Sequence, residues 1–384
     1  MRPETSAVTA ERRATLKRIP SQRYDFSLED IAWILEKTRE VLETRAFLTL
    51  GRYGEEFERK FAEHVGVAHA VAVSSGTAAL EIILRALRVQ GREVVVPTNT
   101  FAATAFAVIH ADAKPVFADS GEDLGVDPED VERRIGPECK AVVAVHIGGH
   151  VSPGVFPLRE LCERKGLYLV EDAAHAQGSG IAGQQAGTLG VAGAFSFFST
   201  KVMTTGEGGM IVTADATLAE KARLLRDQAK VSGANYHEEL GYNWRMTEFQ
   251  AILGLAQLRR LGEFVSRRTE IARVYDAGWE NLGEVRRLLP APASRPNYYK
   301  YVLFLKTKAP HQIGRQLKER FGVHLGGAVY DTPCHLQPVF REFAWGGLPR
   351  AEELSRRHIC PPIYPSLTNE EAQYVVEALQ EVAR

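Results

Sequence analysis

The apolar positions of this chain change period repeatedly between residues 56 and 212. Over 56–64 they place Phe57, Phe61 and Ala62 on one side of a helical repeat, which predicts a helix. Residues 68–73 form a short apolar run that predicts a strand, and this run passes directly into Ser74-Ser75-Gly76-Thr77. Helical spacing resumes at Leu80, Ile83, Leu84 and Leu87. The alternation continues with predicted strands at 93–96, 115–118, 141–145 and 168–170, and predicted helices at 102–110 and 158–164. Strand–helix alternation of this kind builds a mostly parallel sheet with helices on both faces, and such sheets bind ligands at the carboxyl ends of their strands.

Beyond residue 212 the pattern turns helical, first at 218–227 and then over a long stretch at 247–275. The rest reads as a smaller α+β unit with a strand at 299–305. Its last helix opens with the capping box Thr368-x-x-Glu371 and carries Ala372, Val375, Val376, Leu379 and Val382 on one face. We therefore expect an α/β chain with a large domain at 1–265, whose residues 1–27 are a polar extension, and a small domain at 266–384.

Composition narrows the class. Of 384 residues, 45% are hydrophobic and 25% charged, which excludes a disordered, collagen-like or disulfide-stapled chain. Lys+Arg number 47 and Asp+Glu 48, a formal net charge of −1, so the basic excess of a nucleic-acid binder is missing. No apolar run approaches the ~20 residues of a membrane span, and residues 1–27 lack the apolar core of a signal peptide. Cys139, Cys162, Cys334 and Cys360 form no CxxC pair, which predicts free buried thiols in a reducing cytoplasm, with neither a zinc site nor a disulfide framework.

Three places carry candidate chemistry. Lys201 follows Ser196-Phe197-Phe198-Ser199-Thr200 and precedes Thr204-Thr205-Gly206-Glu207-Gly208-Gly209. A lysine there is either a solvated charge or a desolvated amine with a lowered pKa, able to form a Schiff base with a carbonyl. Glu171-Asp172-Ala173-Ala174-His175 follows a predicted strand; its carboxylate is a turn cap, a metal ligand, a general base or the partner of a cofactor cation. Pyridoxal phosphate (PLP) chemistry needs an aspartate against the pyridine nitrogen, where it keeps the ring an electron sink. Ser74-Ser75-Gly76-Thr77-Ala78-Ala79 joins a strand to a helix, either as a plain capped turn or as a phosphate cradle at a helix N-terminus. It is not a P-loop, because GxxxxGK[ST] occurs nowhere. Together the three supply the parts of one PLP site.

SSGTAAL at 74–80, PTNTFAATA at 97–105, EDAAHA at 171–176, SFFSTKVMTTGEGGM at 196–210 and GYNWRMTEFQA at 241–251 resemble, in order and spacing, the motifs of the DegT–StrS family of sugar aminotransferases. The resemblance runs from Phe47 to the C-terminus. It implies the PLP-dependent transferase fold of the aspartate-aminotransferase type (fold type I). It also implies that Lys201 bonds PLP covalently and later moves the proton, and that Asp172 pairs with the pyridinium. His175, where many relatives have Gln, is implied to sit near the ring's phenolic oxygen. Phe101 is implied to stack on the ring face opposite Ala174. Gly76, Thr77 and Ser196 are implied to hold the phosphate, and Asn243 to reach the phosphate of a partner subunit in a homodimer with shared sites. The activity implied is transfer of an amino group from L-glutamate to the keto group of a nucleotide-linked deoxy-keto-sugar. A keto-cyclitol acceptor is the alternative. A sugar dehydratase goes with His in place of Lys201, and a non-catalytic regulatory protein with loss of the lysine or the aspartate.

The chain departs from the family's pattern at His146-Ile147-Gly148-Gly149-His150-Val151-Ser152-Pro153, which lacks the usual aromatic and downstream aspartate. His146 and His150 flank a Gly-Gly turn, where a loop or packing role is favoured over a metal pair. Arg245 fits a substrate anion and a structural ion pair equally. Tyr330, His335 and Gln337 loosely resemble the family's substrate-facing C-terminal region.

Overall fold

The computed structural model describes residues 18–231, 235–280 and 282–383. Its central sheet has seven strands: β1 (His69–Val73), β2 (Glu93–Pro97), β3 (Lys114–Ala118), β4 (Cys139–Val145), β5 (Tyr168–Asp172), β6 (Ala192–Ser196) and β7 (Gly209–Thr213). Their spatial order is β1-β7-β6-β5-β4-β2-β3. From β6 to β3 every pairing is parallel, while β7 runs antiparallel to β6 and β1. The sheet is buried on both faces: Val94, Val96 and Val143 enter one apolar cluster, and Val95, Val142 and Ala144 the other. This explains why these strands read as continuous apolar runs.

Helix α1 (Leu28–Thr44) was not anticipated from the apolar pattern; a reciprocal cap between Ser27 and Asp30 opens it. Helix α2 (Arg52–Val65) buries Phe57, Phe61 and Ala62 as predicted. Its N-terminal residue Gly51 has no capping side chain, and the carboxylate of Glu248 does that work from elsewhere. It accepts hydrogen bonds from the N–H groups of Gly51 (3.1 Å), Tyr53 (2.9 Å) and Gly54 (3.0 Å). Glu248 is only 2% exposed. Glu248→Ala would strand these donors, so we expect a stability loss of about 3 kcal/mol, seen as a lower urea midpoint at unchanged slope. An unchanged midpoint would show that the donors find other acceptors.

Glu248 opens the long helix Glu248–Trp279, capped by Thr247 with Gln250. Its first half packs Ala251, Ile252, Leu255, Leu261 and Phe264 under the sheet. Its second half sends Ile271, Tyr275 and Trp279 into a third cluster with Tyr301, Leu303, Val323 and Leu379. Ile19 joins this C-terminal cluster and bridges Val323, while residues 1–17 of the expected extension lie outside the described residues. The predicted capping box forms, with Glu371 N–H donating to Thr368 Oγ1 (3.1 Å) and Thr368 N–H to the Glu371 carboxylate (3.0 Å).

The strand predicted at 299–305 is confined to Leu303–Leu305, the middle of a three-stranded antiparallel sheet. The backbone before it is committed elsewhere. Tyr299 N–H donates to Asn297 Oδ1 (2.8 Å) and Lys300 N–H to the Gly148 carbonyl (3.0 Å), so these groups are unavailable to a ladder.

Candidate active site

Strand order brings distant motifs to one carboxyl edge. β5 ends in Asp172, and its neighbour β6 ends in Ser196 and leads to Lys201. β1 feeds the turn before helix α3 (Gly76–Ala86), and β2 leads to Phe101 at the start of helix α4 (Ala102–His110). A cavity of about 280 Å³ opens there, lined by Gly76, Thr77, Phe101, Asp172, His175, Ser196 and Lys201. Asn243 does not line it; it is exposed and bridges Asp227.

Asp172 is buried, and burial pushes its carboxyl above the ordinary value. Opposing that, Thr104 donates its hydroxyl to Oδ2 (2.7 Å) and Ala174 its N–H to Oδ1 (3.1 Å). Lys201 Nζ lies 5.1 Å from the centre of the Tyr299 ring, and no described residue accepts a hydrogen bond from it. Burial lowers its pKa to about 8; the charge of Asp172 acts against this and that of Lys300 with it. His175 is held well below its ordinary pKa by burial and by the charges of Lys201 and Lys300, so its ring is neutral.

The turn before α3 presents backbone donors. Ser75 Oγ caps Ala78 N–H (3.1 Å), leaving the first-turn N–H groups of Gly76 and Thr77 without helical acceptors. A side chain at Gly76 would put its Cβ 2.8 Å from Ser196 Cβ, so only glycine lets this turn close on β6.

The neighbouring polar groups are structural. Glu171, fully buried, accepts from the N–H groups of Gly187 (2.7 Å), Leu189 (2.6 Å) and Gly190 (2.7 Å) and lies 2.8 Å from His146 Nε2. His150 sets its ring edge-on to Tyr298 at 5.9 Å. The two histidines thus have separate protein partners, as packing residues do. Arg245 pairs with Asp227 at 2.6 Å, which favours its structural reading.

Sequence reasoning did not assign Thr104 or Tyr299 to the site. Thr104 lies inside the 97–105 motif, and its place one turn after Phe101 was the available signal. Tyr299 carried none, because its position depends on the Asn297 clamp.

The family model of the DegT/DnrJ/EryC1/StrS aminotransferases matches residues 29–380. The chain belongs to this aminotransferase family. It is 36% identical to GDP-perosamine synthase of Escherichia coli O157:H7 over 355 residues, covering 90% of this chain and 94% of that protein. It is also 36% identical to dTDP-3-amino-3,4,6-trideoxy-alpha-D-glucose transaminase of Micromonospora megalomicea subsp. nigra over 342 residues, covering 87% and 91%. A Streptococcus pneumoniae protein described as a sugar aminotransferase, solved in its PLP form, superposes with a TM-score of 0.88 at 25% identity, covering 96% of this chain and 99% of that one.

The cofactor of this aminotransferase is PLP. The cavity fits it on its own chemistry. It offers free N–H groups at a helix N-terminus for a phosphate, a desolvated amine for a carbonyl, and a buried carboxyl whose charge lacks a hydrogen-bonded cation.

Proposed function

We propose that this aminotransferase moves an amino group from L-glutamate to the keto group of a nucleotide-linked deoxy-keto-sugar. The observation that carries this reading is the convergence of the Lys201 amine and the Asp172 carboxyl on one cavity at the carboxyl edge of the sheet. Relatives named for a GDP-sugar and a dTDP-sugar product support a nucleotide-linked acceptor. When bound, PLP supplies an electron sink for the carbanion that transamination requires.

The chain's own groups do the rest. Lys201 would anchor the cofactor covalently and, once released, would carry the proton between carbons. Asp172, ionised against the ring nitrogen, would hold the proton there, and Thr104 fixes its carboxylate. Gly76 and Thr77 would hold the phosphate through their backbone N–H groups, with the hydroxyls of Thr77 and Ser196 beside them in the cavity lining. Phe101, Ala174 and His175 line the cavity; Phe101 and Ala174 would flank the ring and exclude water, and His175 would lie at its edge. We place the enzyme in the cytoplasm: its four cysteines are free and buried, and among the described residues no helix is long and apolar enough to cross a membrane.

We further propose a homodimer in which Asn243 serves the partner's phosphate. Two observations support it. Asn243 stands outside its own cavity, and α1 leaves Leu28 (87%), Leu35 (64%) and Leu42 (57%) exposed on one face, as a subunit contact requires. Mixing inactive Lys201→Ala and Asn243→Asp chains should rebuild one whole site per heterodimer and recover activity. Proven heterodimers without recovery would place Asn243 away from the site. For the acceptor, the glutamate-treated enzyme should return to its starting spectrum with a nucleotide keto-sugar from a panel. A response to keto-cyclitols alone would reassign the substrate.

A further inference from the structure

Two lysine amines lie over one aromatic ring. Lys201 Nζ is 5.1 Å from the centre of the Tyr299 ring, and Lys300 Nζ is 5.2 Å from the same point. The amines are therefore no more than about 10 Å apart. Both residues are half-buried, and salt screens such charges little at that distance. Lys201 lines the cavity, and Lys300 stands outside its lining. Among the described residues no carboxylate pairs with Lys300; its amine donates to the Gly326 carbonyl.

The backbone fixes this placement at both ends. Lys300 N–H donates to the Gly148 carbonyl (3.0 Å), in the loop that departs from the family's pattern. Gly148 has a φ of 64°, a conformation that favours glycine. At the far end, Gly326 N–H donates to the Cys360 carbonyl (2.7 Å), which anchors the residue that receives the Lys300 amine. A carbonyl oxygen and a ring face both favour an ammonium over a neutral amine. The site itself contains a conflict that such a charge resolves. An ionised Asp172 draws a proton onto Lys201, whereas a lysine must be unprotonated to bond a carbonyl.

We propose that Lys300 is a positioning residue that keeps the Lys201 amine unprotonated, its ammonium over the shared Tyr299 ring offsetting the carboxylate of Asp172. This rests on the aminotransferase reading only for the role given to Lys201. Lys300 acts through that amine and touches no ligand. The charged and titratable groups facing the pair are few. At Lys201, burial lowers the pKa to about 8, Asp172 acts against this and Lys300 with it. His175, held neutral mainly by burial, adds no charge. At Lys300, burial pulls the pKa down, the Cys360 thiol acts upward and the Arg268 guanidinium downward. His358, lowered by burial, is neutral as well. Two unit charges about 10 Å apart, at an effective dielectric constant of about 20, shift a titration by about one pH unit.

The test is made on the PLP-free enzyme with acetic anhydride, which acetylates only the unprotonated amine. Modification of Lys201 is followed by mass spectrometry over a series of pH values. In the wild type its rate should rise through about pH 8. Lys300→Met and Lys300→Gln keep most of the side chain's length and remove its charge. In both, the midpoint should move to higher pH by about one unit, because the like charge that disfavours the ammonium of Lys201 is gone. Lys300→Arg keeps the charge and should hold the midpoint near the wild-type value. Urea midpoints check that each variant is folded, and the two neutral variants stand in for one another if one fails to fold. An unchanged midpoint in the folded neutral variants would overturn the proposal. So would a shift in Lys300→Arg as large as that in Lys300→Met, which would show that packing and not charge sets the titration. Neither PLP nor substrate enters the measurement, so failure to find an active keto-sugar would count against the function reading and leave this one standing.

Discussion

Replacing Lys201 with alanine should abolish transamination and leave the fold intact. The side chain lines a cavity, its amine has no hydrogen-bond acceptor among the described residues, and its removal opens no gap in the apolar clusters. The variant should unfold at the wild-type denaturant midpoint and still bind PLP, since the α3 N-terminus and Asp172 remain. Wild-type turnover by the folded variant would remove Lys201 from the mechanism. The wild-type lysine carries a pH signature as well. With its pKa lowered to about 8, the amine is protonated below that value and free above it. Covalent capture of PLP by the apoenzyme, fixed with borohydride and located on Lys201 by mass spectrometry, should therefore rise with pH through about 8. Capture rising only near the ordinary lysine range, about 10.4, would mean that the site does not desolvate the amine.

Asp172→Asn should be nearly as damaging by a different route. A buried carboxyl pushed upward by desolvation is stabilised as an anion when a cation is placed against it, and a protonated ring nitrogen is such a cation. Asparagine retains the shape and loses the charge, so the ring would shed its proton and with it the electron sink. We expect turnover to fall by more than about a hundredfold while glutamate affinity changes little. Thr104→Val, which removes the 2.7 Å hydrogen bond and leaves the carboxylate, should cost far less. If turnover in Asp172→Asn changed less than about tenfold with PLP occupancy verified, Asp172 would be a structural residue at the end of β5.

Much of this protein was legible before any coordinates. Two-sided burial makes β2, β4 and β5 read as apolar runs, and the helices between them show their buried face every three to four residues. Because chain reversals at strand ends need glycine and small hydroxyl residues, the same pattern marked the turns at Ser75-Gly76 and after Ser196. Lys201, Asp172 and the phosphate turn were therefore found locally, each beside its own strand.

What the sequence could not carry was everything that depends on which strands become neighbours. The spatial order β1-β7-β6-β5-β4-β2-β3 is not the chain order, and only that order sets Lys201 beside Asp172 and turns Thr104 onto it. The stretch before Leu303 had the composition of a strand, yet the loop at Gly148 and the Asn297 side chain took its backbone hydrogen bonds and placed Tyr299 by Lys201. The hydrogen bond between His175 and Tyr330 joins residues 155 positions apart in the chain. Local patterning determines which side chains are buried and where the backbone must turn. The partners of buried polar groups are chosen by tertiary contact, because an unsatisfied donor takes whatever acceptor the packing brings within reach.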